Sequence, residues 1–229
     1  MLAINTSSLE TIKTQIKGLK SDNRLLTNYY GQQLNNSFLR TIHSEKSILF
    51  LDEDIGLHRL YFRSTNISDL VDLVEQLPNT PITMEYISKT EPVEITQMIS
   101  QSHFIHYATF ERITNYDYAK YKSNDEIVYG TLKDLDHLYK NICNDFDKYI
   151  DHIPSYETLK EFITRKGVLV NKFKKQVTGY LIFEIQKKKS FIRSWFSSKK
   201  DIPMGGMVLL CKYHSLMDEM AINSTYGWV

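Results

Sequence analysis

Gly205 and Gly206 stand at the head of a run with helical spacing, Met207-Val-Leu-Leu, shortly after a lysine pair, Lys199 and Lys200. The first amides of a helix have no intrahelical acceptor, and the helix dipole leaves positive charge at that end. Two glycines let an anion come close to those amides, so this junction is the candidate site for a phosphate-bearing ligand. Pro203, two residues before Gly205, cannot donate a backbone hydrogen bond and weakens the cradle. Taken alone, a Gly-Gly pair marks no more than a loop entering a helix.

Groups able to move a proton are few. Glu184 is the one carboxylate inside the apolar run Tyr180 to Ile185. Burial without a partner would raise its pKa, whereas strand alternation turns it to solvent with Tyr180 and Gln186. His214, downstream of the glycine pair, and Tyr226 are proton carriers by type, but both types also serve as ordinary packing residues, and no catalytic acid or base is assigned. Lysines at 172–175, 187–189 and 199–200 are phosphate-seeking by charge. The first two groups read as solvated hairpin tips, and only Lys199 and Lys200 adjoin the glycines. Cys143 and Cys211 are far apart, with no His or Cys at ligand spacing, and read as buried reduced thiols rather than a metal site or disulfide. The sequence holds no P-loop, no dinucleotide fingerprint and no His-Glu-x-x-His zinc motif.

With 42% hydrophobic residues, 9 Gly and 5 Pro in 229, the composition excludes disordered, collagen-like and coiled-coil classes. The net charge of +1 gives no overall field to steer the chain onto nucleic acid or anionic lipid, so neither is expected as a partner. No apolar stretch approaches the roughly 18 residues a membrane span needs, and the N-terminus lacks the apolar core of a signal peptide; a cytoplasmic protein is expected.

The elements that must position these residues follow from periodicity. The first forty residues read as helix, with Leu9, Ile12, Ile16 and Leu19 on one face behind Ser7 and Ser8 as caps. Strands are expected at 47–54 and 57–63 around Gly56, then a helix capped by Asn66 or Ser68 with Leu70, Leu73, Val74 and Leu77 inward. A strand at 82–87, a helix at 91–102 and a strand at 105–113 complete a layered α/β half. The polar stretch 114–126 is the expected boundary. After it come a short strand at 127–130, a helix from Leu132 to Ile150 and a helix capped by Ser155, with Gly167 as its left-handed stop. A three-stranded meander with lysine-rich turns spans 168–196. A helix facing inward through Leu209, Tyr213, Leu216 and Met220 leads to a final strand at 222–229.

In this order of elements the second half resembles the GNAT acetyltransferase superfamily, whose members transfer an acyl group from acyl-coenzyme A to an amine. The likeness rests on Trp195-Phe-Ser-Ser-Lys-Lys-Asp-Ile-Pro-Met-Gly-Gly-Met-Val-Leu-Leu, similar to that family's Arg/Gln-x-x-Gly-x-Gly/Ala turn. In one register Lys200 falls in the basic position, Pro203 replaces the first glycine and Gly205 is the second; a shift of one or two residues puts Asp201 or Ile202 in the basic position, and no register satisfies every position. The resemblance implies a strand that splays from its neighbour to pair with the pantetheine arm, and a turn that holds the pyrophosphate. It further implies acetyl-CoA as cofactor, bound by Trp195, Phe196, Ser197, Lys200, Met204, Gly205, Gly206 and Met207, and an amine acceptor.

The resemblance covers 125–229 and stops where the family continues with a helix, often bearing a proton-donating tyrosine, and a closing strand. Met84-Glu-Tyr-Ile, the helix to Ser102 and the aromatic stretch His103 to Ile113 resemble that missing end. The expected fold is therefore α/β, in α+β layers: a GNAT-like mixed sheet flanked by helices at 121–229, C-terminally truncated, preceded by a degenerate GNAT-like α/β half at 1–120. The expected function is acyl transfer to an amine. The alternative is a non-catalytic interaction module on a degenerate GNAT scaffold. Self-association is expected through the edge of the final strand.

Overall fold

The computed structural model describes residues 4–19, 25–31, 34, 36–118, 126–198 and 204–228. The chain divides into two compact units, Met1–Tyr107 and Ala108–Val229.

Unit 1 opens with β1 (Asn5–Ser8) and α1 (Leu9–Gly18), where Ser8 Oγ accepts the Thr11 N–H and caps the helix. The helix expected over forty residues stops at Gly18. It is followed by β2 (Leu26–Thr27) and β3 (Phe38–His43). β3 buries Leu39 on one face of the sheet and Ile42 on the other while Phe38 stays exposed, so its apolar pattern carries no helical period. The hairpin of β4 (Ser47–Asp54) and β5 (Leu57–Ser64) turns through Gly56 at φ +66°. α2 (Ile67–Val74), capped by Asn66, then β6 (Ile82–Thr83) and α3 (Val93–Ser100) follow. Strands β1, β3, β4 and β5 are antiparallel neighbours in that order, and β6 runs parallel to β5. Leu49, Leu51, Leu60 and Phe62 pack on Leu70, Leu73, Ile95 and Met98. On the other face Ile48, Phe50 and Tyr61 meet Ile12 and Ile16 of α1.

Unit 2 begins earlier than the polar stretch 114–126, because β7 (Arg112–Asn115) belongs to its sheet. Residues expected to close the first half as a strand at 105–113 are not paired until Arg112. Then come β8 (Val128–Tyr129), a 3-10 turn at Leu132–Asp134, α4 (Leu135–Asp145), α5 (Tyr156–Thr164), β9 (Val168–Phe173), β10 (Gln176–Gln186), β11 (Lys189–Ser197), α6 (Gly205–Glu219) and β12 (Ser224–Trp228). The sheet order is β7-β12-β11-β10-β9-β8. α4 and α5 cover one face through Leu138, Ile142, Leu159 and Phe162, and α6 covers the other through Leu209, Tyr213 and Met217. Met217 takes the inward place expected of Met220, which is exposed at the helix end. β12 lies between β7 and β11, so the open edge expected to drive self-association is covered by β7.

Two turns in unit 2 rest on left-handed lysines. The β9–β10 hairpin places Lys174 and Lys175 at φ +50° and +68°, the geometry of a two-residue hairpin whose twist matches the strands. After α5 the left-handed residue is Lys166, at φ +58°, not Gly167. Gly167 is required for another reason: a Cβ there would lie 2.7 Å from the carbonyl oxygen of Phe183.

Apart from β2 and α3 in unit 1 and from β7, the 3-10 turn and the extra helix in unit 2, the units share one plan: strand, helix, three antiparallel strands, helix, and a strand parallel to the third. Gly167→Ala is expected to destabilise unit 2 by about 1–3 kcal/mol through overpacking against β10. Lys166→Gly, at the left-handed position, leaves stability unchanged or raises it; urea unfolding of the two variants separates the two roles.

Candidate functional site

β11 and β12 pair in parallel over three rungs only, Lys189 with Ser224, Ser190 with Thr225 and Phe191 with Tyr226. Beyond them β11 continues to Ser197 beside β10, and β12 continues to Trp228 beside β7, so the two strands part. The divergence has a local cause. The register against β10 shifts between Ile182 and Phe183, leaving Arg193 as an extra residue, and such a bulge bends its strand.

The phase of pairing decides which groups face the gap. Ser198 donates its N–H to the Thr178 carbonyl at 2.9 Å. By antiparallel alternation the peptide groups of Trp195 and Ser197 then point away from β10, into the gap, and those of Phe196 point to Tyr180. Among the described residues no strand pairs with Ile192–Ser197 on the gap side.

α6 starts at the mouth of this gap. Its N-cap, Met204, is left-handed at φ +61° and no side chain caps the helix. The first turn carries no acidic residue, and Val208 makes the bond to the Met204 carbonyl at 3.1 Å, so the amides of Gly205, Gly206 and Met207 precede the helical ladder. The Trp195 indole lies over Gly206, where a Cβ would stand 3.1 Å from Cζ2.

The structure thus brings Trp195, Gly205 and Gly206 together, with Met204 and Met207 exposed beside them. The Ser197 hydroxyl faces the same side, toward Gly179 and Leu209. Phe196 does not join them: its ring is in the opposite core, 5.7 Å from Tyr180. Lys199, Lys200 and Pro203 lie outside the described residues.

The proton-carrying candidates are occupied or buried. Glu184 accepts from Arg193 at 2.7 Å, an ion pair that depends on the bulge and was not legible from strand alternation. Tyr226 stacks on Phe191 with centroids 5.0 Å apart. His214 is buried between Tyr118 and Tyr213, at 5.6 and 5.1 Å, and burial holds its pKa below the ordinary 6.5. Burial likewise pushes the Tyr213 phenol up; it donates to Ser190 Oγ at 2.8 Å and ties α6 to the paired end of β11. Lys172 is not a free hairpin cation. It pairs with Asp134 at 2.7 Å, where burial alone would raise the carboxyl pKa but bonds from Lys172 and Thr131 outweigh it and hold the pKa low. Cys143 is exposed rather than buried, and Cys211 is half-buried. Among the described residues no three His, Cys, Asp or Glu side chains could hold a metal ion.

Unit 1 has the same divergence and closes it. β5 and β6 pair only at His58–Ile82 and Arg59–Thr83. Above these rungs β2 takes the edge of β5, Leu26 opposite Ser64 and Thr27 opposite Arg63. Buried Asn28 then spans the gap, donating from Nδ2 to the carbonyls of Leu60 (2.8 Å) and Glu85 (2.9 Å) and accepting at Oδ1 from the Phe62 N–H (2.7 Å). The start of α2 is capped by Asn66 and carries Asp69, whose carboxylate accepts from Ser44 Oγ at 2.6 Å. A filled gap and a capped, negative helix start leave no anion cradle there.

No protein-family model matches the chain, and no curated protein sequence matches it. Solved structures do. A GCN5-related glucosamine N-acetyltransferase region of a fungal multi-domain β-N-acetylglucosaminidase matches the whole chain over 36% of its own length, at 9% identity and TM-score 0.59. A GNAT-family acetyltransferase from Colwellia psychrerythraea matches 98% of the chain over 89% of its own, at 10% identity and TM-score 0.51. A GCN5-related N-acetyltransferase from Sphaerobacter thermophilus matches 97% over 76%, at 9% identity and TM-score 0.51. The fold is that of the GNAT acetyltransferases. The chain spans about a third of the fungal protein, and at these identities the likeness is one of fold.

In GNAT terms the parting of β11 and β12 is the splayed pair expected from sequence, and α6 is the helix after the turn. Asn28→Ala is expected to cost about 3 kcal/mol in the unfolding of unit 1, since each buried polar group left unpaired costs about 1–3 kcal/mol; chemical denaturation of the full chain measures it. For His214 the unfolded state binds the proton more readily than the folded one. Stability therefore falls as pH drops from about 6.5 toward the depressed folded pKa. His214→Gln is expected to flatten that slope in thermal melts recorded between pH 7 and 5.

Proposed function

We propose that unit 2 binds acyl-coenzyme A and transfers its acyl group to an amine, and that unit 1 is a non-catalytic module of the same architecture. The observation that carries this reading is the contrast between the two gaps. One has backbone groups of Trp195 and Ser197 facing it beside an uncapped helix start; the other is filled by Asn28 and β2.

The residues of unit 2 suit the cofactor in kind. The amides of Gly205, Gly206 and Met207, which precede the helical ladder, suit its diphosphate. The peptide groups of Trp195 and Ser197 suit the amides of its pantetheine arm. Phe196 drops out of the binding set as a core residue. Bound there, acyl-coenzyme A supplies a thioester whose carbonyl carbon takes the amine nitrogen, the C–S bond breaking to the thiol as the amine loses its proton. Glu184, tied to Arg193, is not the base in this reading. The structural neighbour from Colwellia psychrerythraea, a GNAT-family acetyltransferase, supports the reaction class.

Acetyl-CoA is expected to raise the melting temperature of the full chain, because a ligand that binds only the folded state adds about 2.7 kcal/mol at one hundred times its Kd. Calorimetry is expected to give one site per chain, not two. Met207→Glu places a carboxylate in an exposed first turn, where it favours the helix but opposes a diphosphate. It should keep the melting temperature and abolish the response to acetyl-CoA. A folded protein that shows no shift at millimolar acetyl-CoA, or an undiminished shift in M207E, would end the proposal.

A further inference from the structure

On the face of unit 2 opposite α6, the last rung before the gap is a stacked aromatic pair, Phe191 and Tyr226, with ring planes 24° apart. Each ring carries a guanidinium: Arg193 lies 5.3 Å over Phe191, and Arg112 lies 5.8 Å over Tyr226. The sheet register places Arg112 opposite Trp228 and Thr114 opposite Tyr226, so these four side chains share that face. Trp228, one alternation beyond Tyr226 and beside the gap, is 39% exposed.

The charges on this face are not equivalent. Arg193 is neutralised by Glu184 at 2.7 Å. Lys189 adds positive charge farther from the gap. Among the described residues Arg112 is exposed and forms no ion pair, with one flat side on a ring and its N–H edges open. A guanidinium so held presents a fork that fits a carboxylate through two hydrogen bonds, and it repels a polyamine.

The geometry points to Arg112 as the group that reads a carboxylate on the acceptor: the amine that unit 2 acylates is an amino acid or similar amino-carboxylate, whose apolar part lies on Trp228 and Tyr226. This rests on acyl transfer at the β11–β12 gap. A substrate on this face reaches the gap from the side away from α6, beside the rung where the strands separate. The element that supplies the reading residue is β7, which precedes the rest of unit 2 in the chain.

The test uses the full chain and two compounds that differ by the carboxylate alone, N-acetylphenylalanine and N-acetylphenethylamine, titrated by calorimetry without cofactor. The acid is expected to bind at least tenfold more tightly. Arg112→Gln should remove that preference and Arg112→Lys restore part of it, while Thr114→Glu, which puts a carboxylate on the same face, should remove it independently. With acetyl-CoA, Arg112→Gln should raise KM for phenylalanine at least tenfold, change kcat less than twofold and leave KM for phenethylamine unchanged. Equal binding of the two compounds, binding of neither, or equal weakening of both by R112Q overturns the assignment. Loss of all acetyl-CoA binding with the preference intact would instead overturn the acyl-transfer reading and leave the carboxylate site standing.

Discussion

Two parallel strands that part leave peptide groups on their facing edges, and each buried one must find another partner. This constraint shapes both halves of the protein. In unit 1 the chain meets it internally, with β2 along the upper edge of β5 and the Asn28 side chain between β5 and the segment that follows β6. In unit 2 the described residues offer no such segment, and the edge of β11 opens toward the first turn of α6. The rest of unit 2 is arranged so that the gap stays open.

Holding two strands apart is costly unless each is tied to something else. β11 is held by β10 over its whole length, and β12 by β7 over four rungs, so neither is free to swing across. Helices pack on both faces, and the strands between them, Leu181 to Phe183 above all, are apolar without alternation because both sides are covered. The paired end is pinned by a buried chain in which the Tyr213 hydroxyl donates to Ser190 and Ser190 donates to the Glu184 carbonyl. Divergence therefore begins at a fixed rung, and the Arg193 bulge sets its direction.

Features carried by short-range pattern were legible in the sequence. The Ser8, Asn66 and Ser155 caps, the inward faces of α2, α4 and α5, the meander with its lysine turns and the helix after Gly205 all follow from local spacing. What was missed depends on partners distant in the chain. β3 and β2 have little period of their own and form because β4 and β5 offer edges. The strand at Arg112 looked like the end of the first half because nothing local says that its partner is β12. Within the candidate site, Trp195, Phe196 and Ser197 are consecutive in β11 but do not share a face. Alternation sends Phe196 into the other core, and its phase depends on a bulge that composition does not announce. Glu184 shows the same limit, its fate being decided by the residue the bulge displaces.

The plugged gap also says something about the chemistry an open one favours. Asn28 succeeds as a plug because a carboxamide offers two donors and an acceptor, serving the carbonyls of Leu60 and Glu85 and the amide of Phe62 at once. A hydrocarbon of the same size would leave all three unpaired at a cost of about 1–3 kcal/mol each. Whatever enters the gap of unit 2 meets the same kind of edge, so an arm carrying its own amides, with an anion at the end near α6, fits where an apolar chain does not. The helix starts agree with this division. α2 follows β5 after only Thr65 and Asn66, is capped at once and carries an acid, whereas α6 follows β11 across residues 198–204, uncapped and without one. Strand divergence and an exposed helix terminus thus occur together in one unit and are both cancelled in the other, as expected if the two features serve a single extended ligand rather than arising separately from the fold.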